Sequence, residues 1–514
     1  MLRNFFRPKV ELKNFYKMGK FYITTSIAYV NALPHIGYAL ELAQADVLAR
    51  WKRLKGDDVF FLTGTDEHGR KIVEAAEKAG KPVGEFVDET AAKFKELAGA
   101  LNISNNDFVR TTDQKRHWPA VEKMWRKLVN KGDIYKANYK GLYCVGHEAF
   151  MKSSELKDGK CPIHFKEPET IEEENYFFRL SRYASELESI ILTEEFKIVP
   201  AGRKNEILSF IAEGVEDVSF SRPSKDLSWG IPVPDDPTHT IYVWSDALVN
   251  YISLLGYAED GENFQKYWPA DVHIIGKDIL RFHALIWPAM LLSAGLPLPK
   301  NLFVHGFITS GGQKMSKTLG NVIDPFEVIK KYGADAARYY LLREIPPTED
   351  GDFTFEKFEE RYNADLANGL GNLVARVLTL AEKRKSGQDL ELKISADVRE
   401  IIDRAWENYE KHLAEMKFNE ALETIWRLIG FCDEYVDKEK PWELLKQGKE
   451  KEFDQAMLNL LTSLAHIAWL LEPFMPKTAD KIFEQLGIEK TAKDEWDNKF
   501  AIKKQASLFP RLPK

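Results

Sequence analysis

The sequence predicts an α/β fold in which a doubly wound parallel-sheet domain is interrupted by an insertion and followed by a C-terminal α-helical bundle. The first observation behind this prediction is the alternation of strand and helix patterns near the start of the chain. Residues 21–25 form a short β-branched and aromatic run, residues 38–55 repeat apolar side chains at helical spacing before Gly56, and residues 58–63 have the pattern of a strand buried on both faces. Such alternation predicts a parallel sheet that binds ligands at the carboxyl ends of its strands.

The second observation is the position at which this alternation of strand and helix patterns stops and resumes. It stops in the region 115–235 and resumes with strand-like runs at 241–244, 272–276 and 302–305. We therefore predict five segments along the chain: an N-terminal extension (1–20), the first half of the parallel-sheet domain (21–115), an inserted connective domain (116–235), the second half of the sheet domain (236–354) and a helical domain (355–514).

The third observation is the helical character of the last segment. A stripe of apolar residues recurs at helical spacing, as expected for a helix bundle: Leu422, Ile425, Ile429, Cys432 and Val436. Cys432 lies on this stripe, and we expect it to be buried in the core.

Composition limits the class of protein. A chain of 514 residues is long enough for two to four domains. The 72 Lys and Arg against 79 Asp and Glu give a net charge of −7, which argues against a surface coated in positive charge but leaves room for a local RNA-binding face. We expect no membrane span, because no stretch approaches about 20 apolar residues. Three cysteines suit a reducing cytoplasm. Residues 1–20 are basic, and either an appended arm or a start at Met18 fits them.

Two short segments far apart in the chain carry the strongest chemical signal. Residues 34–38 read PHIGY and residues 314–318 read KMSKT. His35 lies where a helix is predicted to begin, and free backbone N–H groups there favour phosphate. Glycines flank the second segment and would let its two lysines close over a triphosphate. Either segment alone has an ordinary explanation, a partly buried histidine or a solvated lysine loop. Together they predict a site that activates a substrate with ATP and expels pyrophosphate.

Set in a parallel α/β framework, these segments make the chain resemble the class I aminoacyl-tRNA synthetases and, among them, the methionyl-tRNA synthetase family. The resemblance runs from Phe21 almost to the C-terminus. It is carried by these further segments: 29–31 (YVN), 63–69 (TGTDEHG), 243–247 (VWSDA), 275–279 (IGKDI), 372–376 (NLVAR) and 441–442 (PW). The chain departs from the family pattern at Tyr38, where a second histidine is common, and at Thr318, where serine is usual.

The resemblance implies a Rossmann-like catalytic domain that converts L-methionine and ATP to methionyl-adenylate, with Mg²⁺, and transfers methionine to tRNA(Met). It implies His35, Lys314 and Lys317 as catalytic residues. The implied ATP-binding residues are Gly37, Tyr38, Gly276, Asp278, Ile308, Lys314 and Lys317. The implied methionine-binding residues are Ile27, Tyr29, Asp66, Trp244, Ala247, Tyr251, Ile279 and His283. Taken without the resemblance, Trp244 and Tyr251 are better explained as core packing, and only the context of the surrounding motifs reverses that preference.

The insertion contains a candidate metal site. Cys144, His147, Cys161 and His164 follow the pattern C-x2-H-x13-C-x2-H, and two such tight pairs offer four suitable ligands for tetrahedral Zn²⁺. A disulfide beside two surface histidines, or four unrelated residues, are the alternatives. No water-activating carboxylate accompanies the pattern, so we predict a structural zinc ion.

The helical domain contains the residues that would meet the tRNA. Asn372 and Arg376 are four apart and share a helix face, and Trp442 follows Pro441, a favourable first residue of a helix. The resemblance implies that these three residues contact the CAU anticodon; a helix-surface polar residue or a core tryptophan is the alternative for each.

The resemblance also implies a monomer, because the chain ends near the end of the family's shared core, although a separate chain could supply an extra tRNA-binding domain. The rival functions are a catalytically inactive RNA-binding paralogue and a small-molecule nucleotidyltransferase.

Overall fold

The structure is a computed structural model that describes residues 19–144, 149–151, 155–162, 165–315, 320–383, 392–490 and 500–512. Its strands are β1 (Lys20–Tyr29), β2 (Asp58–Asp66), β3 (Asp107–Arg110), β4 (Ile134–Cys144), β5 (Ala149–Met151), β6 (Glu169–Phe178), β7 (Lys197–Val199), β8 (Val218–Ser219), β9 (Ser221–Pro223), β10 (Pro232–Val233), β11 (Asp236–Ile241), β12 (Val272–Gly276), β13 (Asn301–His305), β14 (Ile308–Ser310), β15 (Gln313–Lys314) and β16 (Gly351–Phe353).

Its α-helices are α1 (Ile36–Leu54), α2 (Arg70–Lys78), α3 (Val83–Ala100), α4 (Trp118–Asn130), α5 (Ala184–Leu192), α6 (Ala201–Ala212), α7 (Val243–Ala247), α8 (Asn250–Ser253), α9 (Glu262–Tyr267), α10 (Trp287–Ala294), α11 (Pro325–Tyr332), α12 (Ala334–Glu344), α13 (Phe355–Arg361), α14 (Asn372–Ala381), α15 (Ala396–Ala414), α16 (Phe418–Glu439), α17 (Pro441–Lys446), α18 (Glu450–Leu471) and α19 (Pro476–Leu486). Shorter 3₁₀ turns cover Leu180–Tyr183 and Lys277–Ile279, and π-helical segments cover Phe282–Ile286 and Tyr362–Gly371.

The predicted parallel sheet is present. Its strand order is β3-β2-β1-β12-β13-β7, and each neighbouring pair is parallel. The chain runs outward from β1 to β3 on one side and continues through β12 and β13 on the other. The order therefore reverses between β1 and β12, and in this kind of sheet the ligand crevice lies outside the carboxyl ends of the two strands at the reversal.

One strand of this sheet comes from the segment predicted to be the insertion. Strand β7 pairs with β13 at the sheet edge, with Lys197 opposite Asn301. Four other strands of that region form an antiparallel sheet of their own, in the order β5-β4-β6-β8. The inserted segment therefore contributes a strand to the parallel sheet as well as forming a sheet of its own, which the break in the alternation of strands and helices did not indicate.

The sequence pattern misplaces one strand. Residues 241–244 look like a β-branched and aromatic strand, but β11 ends at Ile241 in a small antiparallel sheet, and Trp244 lies on the short helix α7. Long-range contacts override the local propensity. The buried Asp246 of this helix lies 2.6 Å from His68 Nδ1 and 2.7 Å from His117 Nε2, which fixes the turn of the chain.

The helical domain continues the same core. The predicted stripe from Leu422 to Val436 lies on α16 and is buried, and the expectation that Cys432 is a core residue is confirmed. Arg338 of α12 is fully buried; its guanidinium lies 2.7 Å from Asp46 of α1 and donates to the carbonyl oxygens of Pro473 and Phe474. Among the described residues, no helix is both long and apolar enough to cross a membrane.

Candidate active site

A cavity of about 510 Å³ opens at the point where the strand order reverses. The carboxyl end of β1 and the residues after β12 form its floor, and α1 begins at its edge. The predicted nucleotide-binding residues that line it are His35, Gly37, Tyr38, Gly276, Asp278, Ile308 and Lys314. The predicted methionine-binding residues that line it are Ile27, Tyr29, Asp66, Trp244, Ala247, Tyr251, Ile279 and His283. The structure thus brings both sets together in one cavity. Lys317 lies outside the described residues.

His35 is the N-cap of α1. Its Nδ1 accepts a hydrogen bond from the Gly37 amide at 3.1 Å, so in the neutral ring Nε2 carries the proton and can donate to a phosphate oxygen. Although the ring is open to the cavity, the surrounding protein lowers the pKa of His35 by desolvation, which favours this neutral form. A Cβ on Gly37 would lie 2.9 Å from the imidazole of His35, so only glycine at position 37 allows His35 this close approach.

Tyr38 stands where the family pattern has a second histidine. Its hydroxyl lies 2.9 Å from Thr63 Oγ1 and 3.3 Å from the Gly64 carbonyl oxygen, both on β2. Burial raises the pKa of the Tyr38 phenol, which is neutral at pH 7. Tyr38 therefore lines the cavity without adding positive charge, and its hydroxyl is engaged by the sheet.

The part of the cavity lined by the predicted methionine-binding residues is mostly aromatic, and its charged side chains include Asp66 and Lys71, whose ammonium lies 5.6 Å from the ring centroid of Tyr29. Trp244 stacks on Phe282 with ring centroids 3.8 Å apart and planes 9° apart, and its edge faces His283. The Tyr251 hydroxyl lies 2.7 Å from His283 Nε2. Aromatic faces of this kind suit a polarisable thioether. Asp66, the last residue of β2, places a carboxylate at the cavity.

The sequence did not predict a buried ion pair between Glu41 and His305 in the wall of the cavity. Glu41 accepts hydrogen bonds from the Ser26 amide and hydroxyl, both at 2.6 Å, and lies 2.9 Å from His305 Nε2. His305 Nδ1 lies 2.7 Å from the Gly306 carbonyl oxygen, so both ring nitrogens donate. Burial alone would lower the pKa of His305, but the contacts with Glu41 raise it on balance. The position of His305 after a predicted strand was the available signal; nothing local marked Glu41.

The lysine segment begins as a tight β-hairpin. Strands β14 and β15 are joined by Gly311 and Gly312, whose φ angles of 60° and 75° require glycine. Lys314 pairs with Thr309 across this hairpin, and its ammonium lies 5.6 Å from the ring centroid of Phe307. Residues 316–319 lie outside the described part of the chain.

The candidate metal ligands are only partly described. Cys144 ends β4. The Phe165 amide donates to the Cys161 carbonyl oxygen at 2.8 Å, and the Cys161 amide donates to the Lys166 carbonyl oxygen at 2.9 Å. Both cysteines are buried. His147 and His164 lie outside the described residues.

The predicted tRNA-contacting residues cluster on the helical domain. Asn372 is the first residue of α14 and is exposed, and Arg376 follows one turn later on the same helix. The Arg376 guanidinium lies 5.3 Å from the ring centroid of Trp442 and pairs with Asp437 at 2.6 Å. Trp442 lies on α17, whose first residue is Pro441, as predicted.

Two family models match the chain. The model described as tRNA synthetases class I (M) matches residues 21–163 and 149–378, and the anticodon-binding domain of tRNA ligase matches residues 397–509. Among curated proteins, the methionine–tRNA ligase of Caldanaerobacter subterraneus subsp. tengcongensis is 45% identical over 506 residues, covering 96% of this chain and 79% of that protein. The methionine–tRNA ligase of Thermotoga maritima is 44% identical over 503 residues, covering 96% and 80%.

Solved structures agree with the sequence relatives. The Mycobacterium tuberculosis methionyl-tRNA synthetase in complex with methionyl-adenylate superposes with a TM-score of 0.91 at 39% identity, covering 96% of this chain and all of that chain. The apo form of the same enzyme gives a TM-score of 0.84 at 36% identity, covering 98% and 100%. The fold described above is therefore shared over almost the whole chain.

Proposed function

The chain belongs to the class I methionine–tRNA ligases, and we propose that the cavity at the sheet reversal activates methionine through the residues named above. The overall reaction is the ATP-dependent formation of methionyl-adenylate and the transfer of methionine to tRNA. The observation that carries the assignment of residues is the meeting of the nucleotide-binding and methionine-binding sets in one cavity.

In the first step, the methionine carboxylate attacks the α-phosphate of ATP, and the bond to the β-phosphate breaks to release pyrophosphate. The protein contributes position and charge. The Nε2–H of His35 donates to a phosphate oxygen from the start of α1, and Lys314 and Lys317 neutralise the charge that builds up on the departing pyrophosphate. Mg²⁺ accompanying ATP would supply further neutralisation.

Methionine is held at the other end of the cavity. Asp66 pairs with the substrate ammonium, and the thioether packs against Trp244 and Tyr251. Each sulfur–aromatic contact contributes about 0.3–1.5 kcal/mol. The neutral Tyr251–His283 pair closes this end with a polar but uncharged contact, which is compatible with an apolar side chain and unfavourable for a charged one.

In the second step, the terminal ribose hydroxyl of the tRNA attacks the carbonyl carbon of the adenylate, and AMP leaves. We propose that Asn372, Arg376 and Trp442 read the anticodon, by hydrogen bonds to base edges and by stacking. The proximity of the Arg376 guanidinium to the Trp442 ring supports a joint surface for an unpaired base.

We further propose a structural zinc ion in the inserted segment. Two buried cysteines and two histidines form a donor set that tetrahedral Zn²⁺ accepts, and the backbone hydrogen bonds of Cys161 with Phe165 and Lys166 support this proposal. Cys144, His147, Cys161 and His164 would hold the ion, which would stabilise this part of the fold.

A monomeric state and a cytoplasmic location stay predictions. Light scattering of the purified protein tests the first, and cell fractionation tests the second.

The decisive experiment measures two reactions across several amino acids: ATP–pyrophosphate exchange, and aminoacylation of a tRNA with a CAU anticodon. Exchange and charging are expected with methionine and not with leucine, isoleucine or valine. A protein that binds the tRNA without exchange activity would instead be the inactive paralogue, an alternative that the comparisons do not support. Exchange without charging would favour the nucleotidyltransferase.

A further inference from the structure

The segment Glu349–Asp352 runs alongside the hairpin that carries Lys314. Strand β16 pairs in parallel with β14, with Gly351 opposite Ile308 and Asp352 opposite Thr309. The approach is close, since a Cβ on Gly306 would lie 2.2 Å from backbone atoms of Glu349. The hairpin is thus built against a second segment, about 40 residues further along the chain, that leads directly into the helical domain at α13.

Two carboxylates of this segment hold the two ends of the hairpin. Asp350 accepts a hydrogen bond from the Phe307 amide at 2.8 Å, at the base of the hairpin. Asp352 accepts one from the Gly312 amide at 2.7 Å and lies 2.9 Å from Thr309 Oγ1. Hydrogen bonds from backbone N–H groups to a carboxylate are stronger than those between neutral groups.

Asp352 acts at the turn, which is the most adaptable point of the hairpin. The two glycines of this turn have open space around their Cα atoms, so their own packing does not fix their conformation. A carboxylate that accepts from the second glycine and contacts the opposite strand restricts the turn, and Lys314 is two residues beyond it.

We propose that Asp352 is a positioning residue for adenylate formation, which fixes the glycine turn and so sets where Lys314 stands against the triphosphate. This inference rests on the proposed function of Lys314. Asp352 itself does not line the cavity. Since a displacement of about 1 Å can slow a positioned reaction by about 100-fold, the loss of this anchor is expected to appear in kcat.

The surroundings of Asp352 support an ionised carboxylate. Burial alone would raise its pKa, but the hydrogen bond from the Gly312 amide, the Thr309 hydroxyl and the nearby Lys357 lower the pKa on balance. Lys357 Nζ lies 3.1 Å from the other carboxylate oxygen, on the exposed side of the contact. Replacing Lys357 removes this ion pair and leaves the hydrogen bonds of Asp352 with Gly312 and Thr309 in place. A Lys357 variant is therefore a matched control.

The test compares Asp352→Ala, Asp352→Asn and Lys357→Ala in ATP–pyrophosphate exchange, with methionine affinity and thermal unfolding measured on the same preparations. Asp352→Ala is expected to lower kcat by about 10- to 100-fold and to leave the Kd of methionine unchanged. Asp352→Asn retains an oxygen that accepts from Gly312, so it should stay within about threefold of the unaltered protein. Lys357→Ala should leave kcat unchanged.

Two results overturn the inference: a normal kcat for Asp352→Ala, or an equal loss of kcat and methionine affinity, which would indicate general damage. If Asp352→Ala does not fold, Thr309→Val decides, because it keeps the side-chain shape and removes the hydroxyl. We expect a loss in kcat of about three- to tenfold, and an unchanged kcat overturns the proposal. Absence of exchange in the unaltered protein would instead refute the proposed function.

Discussion

The Tyr251 hydroxyl lies 2.7 Å from Nε2 of His283, and both residues line the cavity at the proposed methionine site. The other ring nitrogen of His283, Nδ1, lies 2.9 Å from the Ile279 carbonyl oxygen and must donate to it. Nε2 therefore accepts, and Tyr251 donates. Burial lowers the pKa of His283 to about 4, so the ring is neutral at physiological pH. The two residues together present a polar contact without net charge.

Tyr251→Phe removes the donor and leaves a buried acceptor unsatisfied, which costs about 1–3 kcal/mol. We expect the KM for methionine in pyrophosphate exchange to rise by about 5-fold or more, while the KM for ATP changes little. Tyr257→Phe is a matched control, because this tyrosine is also fully buried and does not line the cavity. An unchanged KM for methionine in Tyr251→Phe would remove the Tyr251–His283 pair from the binding site.

The lowered pKa of His283 predicts how stability depends on pH. The unfolded histidine takes up a proton near pH 6.5 and the folded one only near pH 4, so the contribution to stability is complete above about 6.5 and is lost as the pH falls towards 4. The shift corresponds to about 3 kcal/mol. Urea unfolding at pH 7 and pH 4.5 should therefore show a larger loss in the unaltered protein than in His283→Gln. Equal losses would contradict a neutral, buried His283.

We expect substitutions of Lys314 and Lys317 to impair adenylate formation without weakening methionine binding. Lys314→Ala and Lys317→Ala should each slow adenylate formation by orders of magnitude, because they act on the charge of the transition state. The Kd of methionine, measured by equilibrium dialysis, should stay nearly constant. Lys330→Ala, at an exposed lysine of α11, serves as the control and should behave as the unaltered protein. Parallel losses of adenylate formation and methionine binding would count against the assigned roles.

The contact of Arg376 with Trp442 predicts a defect confined to tRNA charging. Trp442→Ala removes a stacking surface worth about 1–3 kcal/mol for one base. Aminoacylation should fall through a higher KM for tRNA, and pyrophosphate exchange without tRNA should be unchanged. Trp406→Ala, also in the helical domain, is a useful comparison because its indole N–H donates to His466 Nδ1 within the bundle. A similar charging defect in both variants would point to damage of the bundle instead.

The metal proposal predicts one zinc ion per chain in protein purified without chelator. Cys161→Ser should lower the zinc content, and chelator treatment should destabilise the unaltered protein more than this variant, because structural zinc contributes directly to folding. Metal analysis by mass spectrometry and thermal unfolding are the measurements. The absence of stoichiometric zinc in the unaltered protein would exclude the site.

Local patterns predicted the elements that surround the cavity. The helix expected at 38–55 is α1 at Ile36–Leu54, and the run at 272–276 is strand β12. Both depend on apolar periodicity, glycine and the helix cap, all of which lie within a few residues in sequence. Of the segments that gave the family resemblance, 29–31, 63–69 and 275–279 meet at the cavity because each lies at the carboxyl end of a strand of the parallel sheet.

Contacts between distant residues were not predictable in this way. The pairing of Glu41 with His305 joins positions 264 residues apart, and Asp246 holds Trp244 on a short helix through histidines of two other segments. Asp352 is likewise defined by what it meets 40 residues earlier. Such contacts depend on the packing of elements, which residue propensities do not encode.

The buried Arg338 has a consequence for dissecting the chain. Its ion-pair partner Asp46 lies on α1, and two of its carbonyl acceptors lie in the segment after α18, so its hydrogen bonds are complete only when both halves are present. A fragment that ends after β16 would retain Arg338 and Asp46 and lose the two carbonyl acceptors, and it would expose the apolar surface of α12 that α16 and α19 cover. We therefore expect that the helical domain cannot be removed without destabilising the rest of the chain. Fragment complementation, with the two pieces expressed together, is the more promising route to handling them apart.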